Sequence, residues 1–599
     1  MRIGLLTEGG YPYVSGDARL WCDRLVRGLG RHEFDIYALS RSERQEGEGW
    51  VQLPPQVTRV RTAPLWTVED DGITYGRRAR RRFTEYYREL ATAVCSGPGA
   101  GPGPEAPVGV GASAGAGAAS EVPPEASDGL EADRFGTALY GLAELARDEG
   151  GLVGALRSEA AVRELERACR APGALRAAHT AHVPDLLAVA AHIERALRPL
   201  SLDWYEGDGL GSVDLCHATA GGSAALPGLL ARHFFGVPLL VTEYGVQLRA
   251  HYLASADASP AVRALLAAFH GRLAREVYRQ AALITPGNAH ARRWQERCGA
   301  DRAKLRTVYP GMEATRFADV GERAEDADPD TLVWIGRVEP AKDLVSLLHA
   351  FGEVRKQVPG ARLRIVGAPT DAEGVAYLGH CRALAAHLFP DEAEGAYAIG
   401  DNPVRFEEIG GPRTPSLAEA YAAGAVIVLS SVVEGFPISL VEAMFCGRAT
   451  VSTDVGAVVE VIGGTGLVVP PRNPRALAEA CVALLRDPAR RTRLGAAARA
   501  RALELFTVEQ NVAAFHGLYL EIVSHGPARP AYVDDTAEPL PFAVPAEMHV
   551  PGGWTESRLA VAGRTPSWAA GNPVRATIQA PEQDRAPGQV PVPAGEATR

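Results

Sequence analysis

The stretch from residue 425 to residue 456 constrains this chain more than any other. A short apolar run at 425–429 (AVIVL) leads through Ser430 and Ser431 into the corner Glu434-Gly435-Phe436-Pro437. A helical stretch follows, with Leu440, Val441, Ala443, Met444 and Phe445 as its apolar positions; Gly447 closes it, and a second strand occupies 449–452. Strand, loop, helix, strand is the unit of a parallel sheet, because parallel neighbours need a crossover and a helix supplies it. The fold class is therefore α/β. Glu434 falls just past the carboxyl end of a strand, where open α/β sheets bind ligands, and Glu442 lies eight residues later on the helix. Gly435 and Pro437 shape the corner between them, the first by its backbone freedom and the second by fixing φ.

The same alternation divides the chain into two units. In the first, 2–6 reads as a buried strand, 18–29 as a helix and 34–39 as a second strand. The loop at 7–16 (TEGGYPYVSG) carries Gly9, Gly10 and Gly16 and ends at a helix amino terminus, a place suited to an anion or a sugar. It lacks the GxGxxG spacing of dinucleotide-binding loops, and an ordinary strand-to-helix turn fits equally well. Strands at 213–217 and 238–242 end in two polar stretches, His217-Ala218-Thr219 and Glu243-Tyr244-Gly245. His217 suits a contact to a sugar hydroxyl or a proton transfer, with a satisfied core histidine nearly as good a reading. A helix at 260–280 and strands at 281–285 and 304–308 follow, and the acidic run 321–330 marks the crossing to the second unit, near 317–330.

That unit opens with a strand at 332–335. Gly336 and Arg337 follow it, and Lys342 stands five residues beyond the arginine, before a helix at 344–358. Two cations at such a turn suit a diphosphate, whose leaving-group charge grows as its bond breaks; a surface pair beside Glu339 and Asp343 is the other reading. A strand at 361–366, helices at 377–389 and from 417, and a strand at 466–469 continue the pattern. Asn473 before Pro474, and Thr507 three residues before Gln510, start two further helices. The second has Phe515, Leu518, Tyr519 and Ile522 as packing residues and is placed to cross back onto the first unit.

Between the strands of the first unit lies a long interruption. Residues 77–82 (RRARRR) open a helix whose Glu85 and Glu89 point to a solvated face with internal ion pairs. Residues 96–129, rich in Gly, Ala, Pro and Ser, bury too little to repay ordering and read as a flexible insertion, as does the tail at 525–599. Residues 130–200 are helical, either covering the sheet or forming a subdomain. Of the histidines there, His179, His182 and His192, only two stand at helical spacing, and no third ligand is near in sequence, so no metal site is expected.

Composition removes several function classes. The 599 residues carry a net charge of -10 without a long basic block, against nonspecific nucleic-acid binding. Eight scattered cysteines without a CxxC pair suit a reducing cytoplasm. The opening apolar run is too short for a signal peptide, and no stretch of about 18 apolar residues exists for a transmembrane helix. A cytoplasmic location is expected, with peripheral attachment to the inner face of a membrane left open.

Taken in order, Gly336-Arg337 with Lys342, Glu434-Gly435-Phe436-Pro437 with Glu442, and the 449–456 stretch ATVSTDVG resemble the retaining family 4 glycosyltransferases of GT-B architecture. TEGGYPYVSG and the 239–245 stretch LLVTEYG are similar to the PelF-type exopolysaccharide branch. The resemblance implies two Rossmann-like domains facing a cleft: an acceptor domain at 1–320 and a nucleotide-sugar domain at 331–505, with a return helix at 506–523. It implies that Gly336, Arg337 and Lys342 hold a donor diphosphate. Glu434, with Gly435 and Phe436, would hold the sugar, Glu442 the ribose, and Gly9 and Gly10 would face them across the cleft. The implied reaction moves a hexose from a nucleoside diphosphate sugar, UDP-glucose being the first choice, to a glycan or small hydroxyl acceptor, with no tightly bound cofactor or metal. One departure stands out: Tyr244 occupies a position where members often carry histidine. It motivates the alternative of a non-catalytic nucleotide-sugar-binding scaffold in polysaccharide assembly.

Overall fold

The computed structural model describes residues 1–16, 19–68, 71–96, 124–206, 208–254, 257–322, 327–390, 402–411 and 414–525. Most of the expected flexible insertion and nearly all of the expected tail lie outside them, as do 323–326 of the acidic crossing.

Among the described residues the chain builds two six-stranded sheets, and every strand pair in them is parallel. The first contains β1 (Arg2–Glu8), β2 (Glu33–Ser40), β3 (Val57–Pro64), β4 (Leu215–Ala218), β5 (Leu239–Glu243) and β6 (Leu283–Pro286), ordered β3-β2-β1-β4-β5-β6. The second contains β7 (Asp328–Ile335), β8 (Arg362–Val366), β9 (Val404–Glu407), β10 (Gly424–Leu429), β11 (Ala449–Thr453) and β12 (Leu467–Val469), ordered β12-β11-β10-β7-β8-β9. Both orders are doubly wound and Rossmann-like. Each reverses once, between β1 and β4 in the first sheet and between β7 and β10 in the second. At such a reversal, loops leave in opposite directions and open a crevice at the carboxyl ends of the strands.

Both sheets are buried on two faces, which is why their strands read as near-continuous apolar runs. Successive side chains alternate between faces: in β7, Leu332 and Trp334 enter one core while Val333 and Ile335 enter the other. In β2, Phe34, Ile36 and Ala38 face one core and Tyr37 and Leu39 its opposite. The helices of the 130–200 region cover one face of the first sheet, where Phe135, Leu139, Leu165, Val189 and Ile193 join the core that holds Leu6 and Tyr37. The opposite face is closed by the helix Val508–Ser524, whose Phe515, Leu518, Tyr519 and Ile522 pack with Ile3, Leu5 and Phe34. A Cβ on Gly28 would come within 2.4 Å of Val512 Cγ2, so a glycine permits this helix to approach the helix Arg19–Gly28.

Several local expectations are corrected. Residues 304–308 form no strand of the sheet; Leu305 makes a single bridge with Ile284, at the edge of β6. The arginine-rich helix Arg77–Cys95 pairs with its neighbours rather than with itself: Arg82 with Asp148, Arg88 with Glu164, and Glu89 with Arg134. Helix formation resumes at Pro124, inside the segment expected to be flexible to 129. No helix among the described residues is long and apolar enough to cross a membrane.

Candidate active site

The reversal in the second sheet brings the loops after β7 and β10 together. Val432 N donates to Ala341 O at 2.9 Å and Ser430 Oγ to Lys342 O at 2.7 Å, fixing one loop to the other. Asp343 takes up φ 49°, a left-handed conformation that aspartate tolerates better than most residues, and its carboxylate caps the helix Leu344–Gln357 by accepting Ser346 N. That turn aims Lys342 across the crevice, where its Nζ lies 2.5 Å from Glu434 Oε1; Ser431 Oγ donates to the same oxygen at 2.8 Å. Glu339 Oε1 is 3.9 Å from both Lys342 Nζ and Arg337 Nη2, and Arg337 remains 66% exposed, free to swing toward a ligand.

Gly336 lies against the Trp334 ring, and the backbone of Gly367 approaches so closely that a Cβ there would meet Gly336 O at 1.9 Å. At the corner itself a Cβ on Gly435 would meet open space, so its own bulk is not what the turn excludes. Gly456 is the residue the corner requires: at φ +58°, a Cβ on it would stand 2.4 Å from Glu434 O. Phe436 packs edge-on against Phe506 at 5.8 Å, anchoring the corner to the core.

Glu442 is held apart from the Lys342–Glu434 pair, on the helix Ile438–Phe445. Tyr421 OH donates to its Oε2 at 2.8 Å and also lies 3.0 Å from Ser439 O. Burial raises its affinity for a proton, while Tyr421, Arg316 and Arg24 act in the opposite direction. Arg24 belongs to the first unit, so a cation from across the crevice acts on this carboxylate. Tyr421 was not singled out as a site residue, and it is the fold that brings it against Glu442; Glu339, read in the sequence only as a neighbour of the two cations, stands between them.

The reversal in the first sheet is built differently. Gly9, at φ +64°, donates its N–H to Leu39 O at 2.8 Å, and a Cβ on it would stand 2.5 Å from Arg41 Cδ. Gly10 is buried beneath the same loop, its carbonyl accepting Tyr13 N at 3.0 Å. His217 corrects the sequence reading. In β4 it shares a face with Leu215, and that face is the one sealed by the return helix. It is wholly buried, with Nδ1 2.7 Å from Tyr519 OH and Nε2 2.7 Å from Thr242 Oγ1, so both ring nitrogens are used. Burial lowers its pKa to about 3. It is a core residue that does not reach the crevice.

Glu243, one residue from Tyr244, is equally internal. It accepts from Tyr278 OH, from Gln295 Nε2 at 3.1 Å and from Gly221 N at 3.1 Å, with its proton affinity raised by burial. Tyr244 stands edge-on to Trp21, and its hydroxyl accepts from Asn511 Nδ2 at 3.0 Å. The two units meet through Glu460: its Oε2 accepts Ala289 N at 2.6 Å, at a helix amino terminus that favours a carboxylate, and its Oε1 accepts Tyr309 OH at 2.9 Å.

Comparison with known proteins places the two units differently. Residues 329–487 match the family described as glycosyl transferases group 1, and residues 1–105 and 126–303 match a domain of unknown function, DUF3492. A D-inositol 3-phosphate glycosyltransferase of Kineococcus radiotolerans is 32% identical over 241 residues, 37% of this chain and 52% of that protein. Its counterpart in Kribbella flavida is 30% identical, over 45% of this chain and 63% of that one. The chain thus spans about half to three fifths of the length of these curated relatives. Sucrose-phosphate synthase from Thermosynechococcus elongatus aligns over 87% of this chain and 99% of its own, at 17% identity and a TM-score of 0.48. The second sheet and its charged loops therefore coincide with a glycosyl transferases group 1 match, in a chain with two six-stranded parallel sheets.

Proposed function

We propose that this chain is a retaining glycosyltransferase moving a hexose from a nucleoside diphosphate sugar, UDP-glucose foremost, to a hydroxyl of a glycan or small acceptor. The observation that carries the reading is the Lys342–Glu434 pair at the β7/β10 reversal, with side chains only 15% and 10% exposed. Holding two charges largely out of water is costly unless each has a strong partner. A diphosphate would offer Lys342 and Arg337 a doubly charged partner and release Glu434 to accept hydroxyls of the attached sugar. Glu442 would face the ribose. In the transfer, the bond from the anomeric carbon to the leaving phosphate oxygen breaks and a bond to the acceptor oxygen forms on the same face. The acceptor proton passes to the departing phosphate, and the cations stabilise the charge developing there. Gly9 and Gly10 would line the acceptor side. The group 1 match supports the transferase reading, and the curated relatives make a phosphorylated cyclitol one acceptor to try beside oligosaccharides. A role in exopolysaccharide synthesis, at the membrane's inner face, extends the same proposal.

Titrating UDP-, GDP- and ADP-sugars into the purified chain, then adding acceptors, tests the reading. Binding of one donor and formation of glycosylated product are expected, with the anomeric configuration retained by NMR; failure of every donor to bind overturns it. The capture of Tyr244 by Asn511 favours a second reading, a nucleotide-sugar-binding scaffold. Donor binding without product across the acceptor panel would select it.

A further inference from the structure

His192, His251 and His270 come from three separate helices, Val183–Leu197, Gln247–Ala254 and Pro260–Gln280, and converge on one point. A nitrogen of each lies within 4.8 Å of a nitrogen of the other two. His192 Nε2 and His270 Nε2 are 2.8 Å apart, and the His251 ring stacks on His270 at 3.6 Å between centroids. His270 is buried and the other two are half-buried, and burial disfavours the protonated form of all three. At 2.8 Å one of the two facing nitrogens donates and the other accepts, so a cation would take the place of that hydrogen bond, the donor ring moving its proton to its other nitrogen. Tetrahedral ligands around a zinc-class ion stand about 3.4 Å apart, so opening the 2.8 Å contact by about half an ångström and splaying the stacked rings would complete the arrangement.

The surroundings supply a counter-charge. Glu8 acts electrostatically on His192; its Oε1 accepts Arg41 Nε at 3.1 Å, while its Oε2 is buried without a described hydrogen-bond partner. Arg195, beside His192, and Arg41, which acts on His251, oppose a cation, and Arg41 is offset by its own pairing with Glu8. The other histidines of the region do not take part: His179 is exposed, and His182 caps its helix, its N–H donating to Asp185.

We propose that His192, His251 and His270 form a binding site for a divalent cation of the zinc class, with Glu8 as its neighbouring negative charge. Imidazole donors favour zinc, cobalt, nickel and copper over magnesium or calcium. The cation would pin the helix that follows β5 to the two longer helices beneath it. Because Glu8 ends β1 immediately before Gly9, the bound charge would lie beside the glycine loop.

The full-length, tag-free chain, stripped with a chelator at pH 7.5, is titrated with zinc by mass-spectrometric metal analysis and with cobalt by visible absorption. About one equivalent per chain is expected, with the strong d–d bands of a low-coordinate nitrogen-ligated cobalt. His251→Ala, at one of the two half-buried ligands, should weaken affinity about 100-fold or more, given that even indirect partners of a metal contribute about 10–100-fold. His192→Ala should do the same, Glu8→Gln should cost less, and His182→Ala should change nothing, circular dichroism confirming that each is folded. No stoichiometric uptake by the wild type, or uptake undiminished in folded His251→Ala, overturns the proposal. Neither readout uses a sugar nucleotide, so the result stands apart from the transferase assay.

Discussion

The two strand-order reversals share one topology and use it in opposite ways. At β7/β10 the polar side chains are short of partners that belong to them alone: Lys342 and Glu434 hold each other, and Arg337 extends into solvent. At β4 and β5 the polar side chains are consumed internally, His217 by Tyr519 and Thr242 and Glu243 by Tyr278, Gln295 and backbone N–H groups. The difference teaches that a polar residue at a strand end is a candidate for a ligand contact when folding leaves its bonding capacity unspent. A satisfied group gains little by exchanging its partner for a ligand; an ion pair at a crevice mouth exchanges readily.

That contrast can be broken. The largest effect is expected from Lys342→Ala, which should lower kcat/KM by about 10²–10³-fold, the range seen when a group stabilising transition-state charge is removed. Single-turnover kinetics and donor titration read it, and an unchanged rate would remove the β7/β10 crevice from the chemistry. His217→Ala should instead act on stability, costing roughly 3 kcal/mol for the cavity and the two abandoned hydroxyls, with kcat per folded molecule preserved. A loss of turnover in a protein of unchanged melting temperature would return His217 to the site.

The same residue sharpens the comparison through pH. The folded ring accepts its proton only at about pH 3, whereas an unfolded histidine does so near its ordinary value of 6.5. Its contribution is therefore complete above 6.5 and is lost progressively as pH falls toward 3. By pH 5 this amounts to roughly 2 kcal/mol. Between pH 7 and pH 5, urea unfolding of the wild type should lose about 2 kcal/mol more stability than that of His217→Asn; equal losses would mean the ring is not sealed. The smallest effect is expected from Tyr244→Phe. It removes one hydrogen bond, worth about 1 kcal/mol, and leaves Asn511 Nδ2 its second partner, Tyr309 O, at 2.6 Å. A marked rise in donor or acceptor KM would show instead that this hydroxyl contacts substrate.

Much of the architecture was legible because parallel strands buried on both faces leave long apolar runs, and helix starts announce themselves by caps, as Asn473-Pro474 does. Two of the four edge strands, β3 and β9, escaped for the converse reason, while β6 and β12 were read. β3 (VTRVRTAP) and β9 (VRFE) are only partly covered, so they carry charges that blur the apolar signal. The helix Pro488–Leu505 was overlooked although Asp487 caps it just as Asn473 caps its predecessor; its interior is rich in alanine and arginine, with few large apolar positions. In the candidate site, the placement of Arg337, Lys342 and Glu434 on the loops after β7 and β10 could be read from position along their strands. The burial of His217 could not, because it depends on the return helix, and the convergence of His192, His251 and His270 depends on how three helices stack.

The helix Val508–Ser524 has a consequence for biogenesis. It is the last described element to leave the ribosome, yet it seals the sheet that is synthesised first. Until it emerges, Ile3, Leu5 and Phe34 are covered on that face only in part, by the helix Arg19–Gly28 with Trp21, Cys22 and Leu25, and a nascent chain stalled in the second unit would present the remaining apolar surface to holdase chaperones. Completion of the earliest domain is thereby deferred until translation has passed nearly everything else described, making maturation of the two halves a single event.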